Sequence, residues 1–274
     1  MTYISLIRKL INYLFKMDKG FVNYKNLSKK IIGCTVQKPV SGTLSGHAAG
    51  EPFDKHVYKE IKKEFPKNTF RQYEYLNYLF TKNTTAVGVN ARNLLFNSPT
   101  ALFLLSRGKN ATDKWSLTNP FEEKQNDTAD ILVVKNDKFE IIDIKTKNNS
   151  KQGQPPNIIS AYKLAQVCAK MIDNKEFDTF TINYFGVDWD LKGDKLYCTD
   201  THYANLFKAK PDLLYINWAA AMQIQFHVNQ LNQDFNGTME DWAKEYLKHF
   251  ITQAKKRSKY MIKRFVKPFE KYVE

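Results

Sequence analysis

Two β-branched apolar runs separated by four polar residues constrain this chain more than any other feature. Ile131 to Val134 is followed by Lys135-Asn136-Asp137-Lys138 and then by Phe139 to Lys145, a pattern that predicts a β-hairpin. Ile141, Ile142 and Ile144 put apolar side chains on both faces of the second run, so it belongs inside a sheet rather than at an edge. Helical spacing flanks the hairpin. Phe53, Val57, Ile61 and Phe65 share one face between Pro52, which suits a first helical position, and Pro66. Residues 67–106 read as largely helical with a break at Pro99, and Ala161, Leu164, Ala165, Cys168, Ala169 and Ile172 set a helix over 159–172. Strands follow over 177–187 and 195–199 around Lys192-Gly193-Asp194, and Thr238 caps a last helix that runs to Val266 before Pro268. The order predicts an α/β (α+β) domain with a central mixed β-sheet flanked by helices.

Neither a repeat nor a long linker divides the 274 residues, so 17–274 reads as a single domain. Residues 1–16 carry Ile4, Ile7, Leu10, Ile11 and Leu14 at helical spacing and read as an N-terminal extension, either an amphipathic helix or an upstream mis-start ahead of Met17. Arg8 and Lys9 interrupt this segment, no small-residue cleavage site follows it, and no run reaches the ~18 apolar residues of a membrane span. The expectation is a cytoplasmic protein. Cys34, Cys168 and Cys198 are too scattered for a disulfide framework or a zinc knuckle. Gly42, Gly46 and Gly50 mark residues 38–51 as a loop.

Charge points to the partner. Forty-two Lys and Arg against 28 Asp and Glu give a net charge of +14, the footprint of a protein that meets a polyanion, with solvated lysine faces as the plainer reading. Asp130 opens the first strand of the hairpin, and thirteen positions later comes Asp143-Ile144-Lys145. Residues two apart on a strand share a face, so Asp143 and Lys145 emerge together, and antiparallel pairing brings Asp130 to the same spot. Two carboxylates held within about 4–6 Å repel unless a proton or a cation lies between them. Mg2+ fits, because it binds through one or two carboxylates and takes further oxygens from water and phosphate. Phosphodiester hydrolysis needs that metal and a further cation beside it, a role for Lys145. The same charges on an edge strand would be decoration, worth roughly 0.2–1 kcal/mol.

The D-x12-D-I-K arrangement resembles the core of the PD-(D/E)xK nucleases. Longer runs resemble the HincII-like type II restriction endonucleases: SGTLSGHAAGEPF at 41–53, LFLLSRGK at 102–109, FEEKQNDTADIL at 121–132, PNIISAYKLAQ at 156–166 and YINWAAAMQIQFHV at 215–228. The resemblance covers roughly residue 30 to the C-terminus. It implies a restriction-endonuclease-like fold and a homodimeric, Mg2+-dependent enzyme that cuts both strands of double-stranded DNA at a short palindrome, GTYRAC with blunt ends. By motif position, Asp130 and Asp143 are metal ligands and Lys145 the catalytic lysine. The proline that precedes the first Asp in the wider superfamily is Ala129 here.

For recognition the resemblance points to Asn217, whose amide offers a donor and an acceptor to a base edge, and to Gln154, matching a glutamine that inserts beside the site. Asn157 is a further DNA-binding candidate, and Arg107 and Lys109 are candidate phosphate contacts. Without the resemblance, all three amides read as turn or capping groups. A cell holding such an enzyme needs a cognate DNA methyltransferase. The competing readings are a catalytically inactive sequence-specific DNA-binding protein and a structure-selective DNA repair nuclease.

Overall fold

The computed structural model describes residues 21–39, 47–72, 74–75, 98–105, 128–135, 138–151 and 153–273. Its centre is the hairpin. β3 (Ile131–Lys135) and β4 (Lys138–Asn148) pair antiparallel, with Ile131 opposite Ile142 and Lys135 opposite Lys138. β4 also pairs in parallel with β6 (Phe180–Lys192), so it has neighbours on both sides, as its doubly apolar sequence requires. β6 returns antiparallel as β7 (Lys195–Asn205) through a turn in which Gly193 takes a φ of 63°, a left-handed value that glycine adopts without strain. β1 (Thr35–Gln37) and β2 (Thr69–Phe70) complete a six-stranded mixed sheet in the order β1-β7-β6-β4-β3-β2. A second sheet holds β5 (Asn157–Ser160), β9 (Gln223–Gln225) and β8 (Ile216–Asn217), in that order.

The alternation along β4 sorts two cores. Phe139 and Ile141 face one way, into a cluster with Leu164, Cys168 and Met171 of α4 (Ala161–Asn174) and Trp242 and Tyr246 of α5 (Met239–Met261). Ile142 and Ile144 face the other way, against Leu27 and Ile31 of α1 (Tyr24–Ile31) and Phe53, Val57 and Ile61 of α2 (His47–Glu64). Trp242 and Tyr246 are fully buried on α5, and further along the same helix Phe250 packs beside Tyr162 and Trp218. The expected central mixed sheet flanked by helices is therefore present.

Several local readings are corrected. α2 begins by His47, so Pro52 lies inside it and Gly50 is helical rather than part of a loop. The helix needs glycine there for packing: a Cβ on residue 50 would meet Thr146 Oγ1 at 2.9 Å. Within 67–106, residues 69–70 form an edge strand, and Pro99 opens α3 (Pro99–Leu105), with Ser98 Oγ accepting from the Ala101 N–H; the helix expected before Pro99 lies outside the described residues. Ile159 and Ser160 belong to β5, and α4 starts one residue later.

Thr238 caps α5 in a reciprocal box with Asp241, as its position implied. Thr238→Ala should therefore lower unfolding free energy by about 1 kcal/mol, measurable by urea titration. Pro268 does not end the chain's helical course. A π-helical turn at Ile262–Val266 precedes it, and α6 (Lys267–Glu270) then resumes with the proline in its first turn, where the missing N–H costs least. Lys255, Lys256, Lys259, Lys263 and Arg264 are exposed on this terminal segment. None of the helices among the described residues is long and apolar enough to cross a membrane. The proposed extension at 1–16 lies outside the described residues.

Candidate active site

β4 changes character after Ile142. The face that carries Phe139 and Ile141 into the core continues as Asp143, Lys145 and Lys147, so the strand runs out of its apolar cover and presents charge. Lys145 Nζ lies 2.8 Å from Asp143 Oδ2, with only 20% and 12% of the two side chains exposed. The pairing of Ile131 with Ile142, carried one residue further, sets Asp130 beside Asp143. Asp130 Oδ2 accepts the Ile144 N–H at 2.7 Å, which fixes its carboxyl against β4. The three ionisable groups expected to converge do so.

Their electrostatics are unbalanced. Burial pushes the Asp143 carboxyl well above the usual carboxylate range; Lys145 pulls it down, and charge repulsion and a hydrogen bond from Asp130 push it up again. Burial alone would lower the Lys145 amine, but Asp143 and Asp130 outweigh it and leave the amine above its ordinary value. One ammonium thus faces two carboxylates in a dry setting. A hard divalent cation held by Asp130 and Asp143 would discharge that excess, and oxygen donors are the right chemistry for it. Among the described residues no three His, Cys, Asp or Glu side chains gather as a larger ligand group, so this pair is the candidate set.

Residues outside the motif hold Asp130 in place. Arg71 Nη1 donates to the Asp130 carbonyl at 3.0 Å and to Asp54 Oδ1 at 2.7 Å. Gln72, 1% exposed, accepts from the Thr128 and Ala129 N–H groups at 2.9 and 2.8 Å and donates to the Leu105 carbonyl at 2.8 Å. The Ala129 contact explains the departure from the wider superfamily pattern, because a proline at 129 would have no N–H to give Gln72. Nothing in the local sequence marks either residue, since their partners lie far along the chain.

The cluster opens into a cavity of about 610 Å³ that Asp130 and Lys145 share with Lys147, Lys151, Gln154 and Asn157. Gly186 faces Lys145 across the β4–β6 ladder, and a Cβ there would press within 3.1 Å of Val228, so glycine keeps the floor open. Two of the recognition candidates, Gln154 and Asn157, thus stand in the same cavity as Asp130 and Lys145. Asn217 is set apart on β8, where its Oδ1 accepts from the Ala219 and Ala220 N–H groups at 3.0 and 3.2 Å and its Nδ2 donates to Gln225 at 2.9 Å. Sequence reasoning missed Gln225. Arg107 and Lys109 lie outside the described residues.

Comparison with known proteins agrees with this architecture. The family described as restriction endonuclease HincII matches residues 27–273. Two relatives from Haemophilus influenzae, type II restriction enzyme HindII (strain Rd) and type II restriction enzyme HincII, are each 64% identical over 250 residues, which is 91% of this chain and 97% of theirs. With a mixed sheet that brings Asp130, Asp143 and Lys145 together, and a match over nine-tenths of its length, the chain belongs to the HincII restriction endonuclease family.

Proposed function

We propose that this protein is a type II site-specific deoxyribonuclease whose catalytic centre is Asp130, Asp143 and Lys145. The observation that carries the reading is the buried Asp143 carboxyl held between Asp130 and Lys145, which themselves line a cavity shared with Gln154 and Asn157. The substrate is double-stranded DNA containing a short palindrome, GTYRAC cut to blunt ends in the enzymes this chain resembles. A palindrome is met by a two-fold protein, so the working form is a homodimer. Residues 17–274 act as one domain, with 1–16 as an extension. The enzyme works in the cytoplasm beside a DNA methyltransferase that protects host sites without touching it.

Asp130 and Asp143 would hold the cation, for which Mg2+ is the best match in size and donor preference. When bound, the ion supplies charge neutralisation at the phosphate and a lowered pKa for a water molecule. Lys145 is kept protonated by its two carboxylate neighbours and donates to a non-bridging phosphate oxygen, where negative charge builds as the fifth bond forms. The Ile144 N–H and the Arg71–Gln72 clamp hold Asp130 still, so that little reorganisation is needed on binding. Gln154 and Asn157 meet the duplex along the cavity, and Asn217, keeping its bonds to Gln225 and the 219–220 backbone, offers its second Nδ2 hydrogen to a base edge.

Digestion of an unmethylated plasmid tests the whole reading. Discrete fragments are expected with Mg2+, and a chelator should abolish them, with restoration on adding excess Mg2+. Binding without cleavage would favour an inactive DNA-binding protein. A smear, or nicking confined to branched substrates, would favour a repair nuclease.

A further inference from the structure

Two amides, Gln225 and Asn157, connect Asn217, on the outer strand of the small sheet, to the cavity, and the hydrogen bonds among the three run in one direction. The Asn217 Oδ1 accepts two backbone N–H groups, from Ala219 and Ala220, so that end of the amide must be the oxygen. Its Nδ2 therefore points at Gln225 and donates to Oε1 at 2.9 Å. Gln225 must then turn its Nε2 the other way, and it donates to Asn157 Oδ1 at 2.8 Å. The loop that supplies the first two N–H groups is tightly specified: Ala221 and Met222 both take left-handed φ values, 51° and 57°, and the Met222 carbonyl accepts from the Ala161 N–H at the start of α4. Gln225 is also opposite Asn157 in the β5–β9 register, so the two side chains are held face to face by their strands.

We propose that Gln225 is a positioning residue for sequence recognition: it fixes which end of the Asn157 amide meets the DNA. With Oδ1 occupied by Gln225, Asn157 presents Nδ2, a donor, to whatever enters the cavity it lines. It thereby selects a base edge that offers an acceptor at that position and disfavours one that offers only a donor. Gln225 itself touches no base. Its effect reaches the DNA through the orientation of its neighbour, and the backbone at 219–220 is the ultimate source of the polarity. This inference rests on the nuclease reading above and adds a determinant of which base pair is accepted.

Gln225→Glu reverses the polarity. A carboxylate still accepts from Asn217 Nδ2, but it offers Asn157 only a second acceptor, so the Asn157 amide turns over and presents Oδ1 to the cavity. Asn157→Asp reaches the same outcome by another route, because one carboxylate oxygen keeps the Gln225 contact and the other faces the DNA. The experiment is cleavage of a duplex library randomised through the site, with wild type and both full-length variants in Mg2+, read by sequencing the cut ends. Both variants should shift the preference at the same single base-pair position in the same direction, by about tenfold or more in relative kcat/KM, with the other positions unchanged. An unaltered profile in Asn157→Asp overturns the proposal, even if Gln225→Glu proves inactive or unfolded. An unaltered profile in an active Gln225→Glu overturns it equally. A wild type that cuts the library without sequence preference would instead overturn the restriction-enzyme reading itself, and is recognised before either variant is compared.

Discussion

Asp143→Ala and Lys145→Ala are each expected to lower the single-turnover rate of duplex cleavage at least about a thousandfold, while the fold survives. The size follows from what each side chain is asked to do. Asp143 is one of two carboxylates available to hold the cation, and removing it leaves Asp130 alone beside the phosphate. Lys145 would supply the positive charge nearest the non-bridging phosphate oxygens, where negative charge develops, in a setting with only 20% of its side chain exposed, where little water can substitute. Neither residue is needed for the core. Burial works against the ionised Asp143, so the strand keeps that carboxylate at a cost to stability, as functional sites commonly do. The thermal midpoint of Asp143→Ala in chelator should therefore match or exceed that of the wild type. A variant that still cleaves within tenfold of the wild-type rate would remove its residue from the mechanism.

The largest expected loss of stability lies three residues earlier on the same strand. Glu140 is 1% exposed on the face opposite Asp143, where it receives the Phe21 N–H, the Val22 N–H at 3.0 Å, the Tyr24 hydroxyl at 2.6 Å and the Asn183 amide at 2.8 Å. Tyr24 also stacks on Tyr203 with ring centroids 3.9 Å apart, so one carboxyl fastens α1 to the middle of the sheet. Glu140→Ala strands four donors in a buried site, and urea denaturation should show a loss of at least about 3 kcal/mol. Burial raises the Glu140 pKa above its ordinary value despite those four donors. An acid whose folded pKa is raised contributes stability that is complete below its unfolded pKa and fades as pH rises toward the folded value. The stability advantage of wild type over Glu140→Gln should accordingly narrow as pH rises above 4.5, the ordinary glutamate value. A constant gap across that range would show that Glu140 ionises in the fold as it does in the unfolded chain.

How much of this was legible beforehand depended on how local each determinant is. The hairpin was readable because its runs, its turn and its register lie within fifteen consecutive residues, and that register brings Asp130, Asp143 and Lys145 together by antiparallel arithmetic alone. The cap at Thr238 was readable for the same reason. The start of α2 was misplaced because Gly50 and Pro52 look like loop punctuation, whereas glycine is there to let the helix approach Thr146, nearly a hundred residues away. The strand at 69–70 was missed because two residues have no period, and it exists only through pairing with β3. Arg71, Gln72 and Gln225 left no trace, since each acts through partners that only the tertiary fold brings near. Charge composition points toward a nucleic-acid partner, in keeping with the restriction-endonuclease family, yet a count of lysines singles out no contact residue.

The central claim is that Asp130 and Asp143 jointly hold a divalent cation against the scissile phosphate, with Lys145 beside it. Crystals of the protein with a duplex carrying its site, soaked in Mn2+ and measured for anomalous scattering, test it directly. A peak bridged by both carboxylates and in contact with a phosphate oxygen is the expected result. An anomalous peak elsewhere in the cavity, such as beside the Asp188–His202 pair with its 3.1 Å contact, and none between Asp130 and Asp143, would contradict the account.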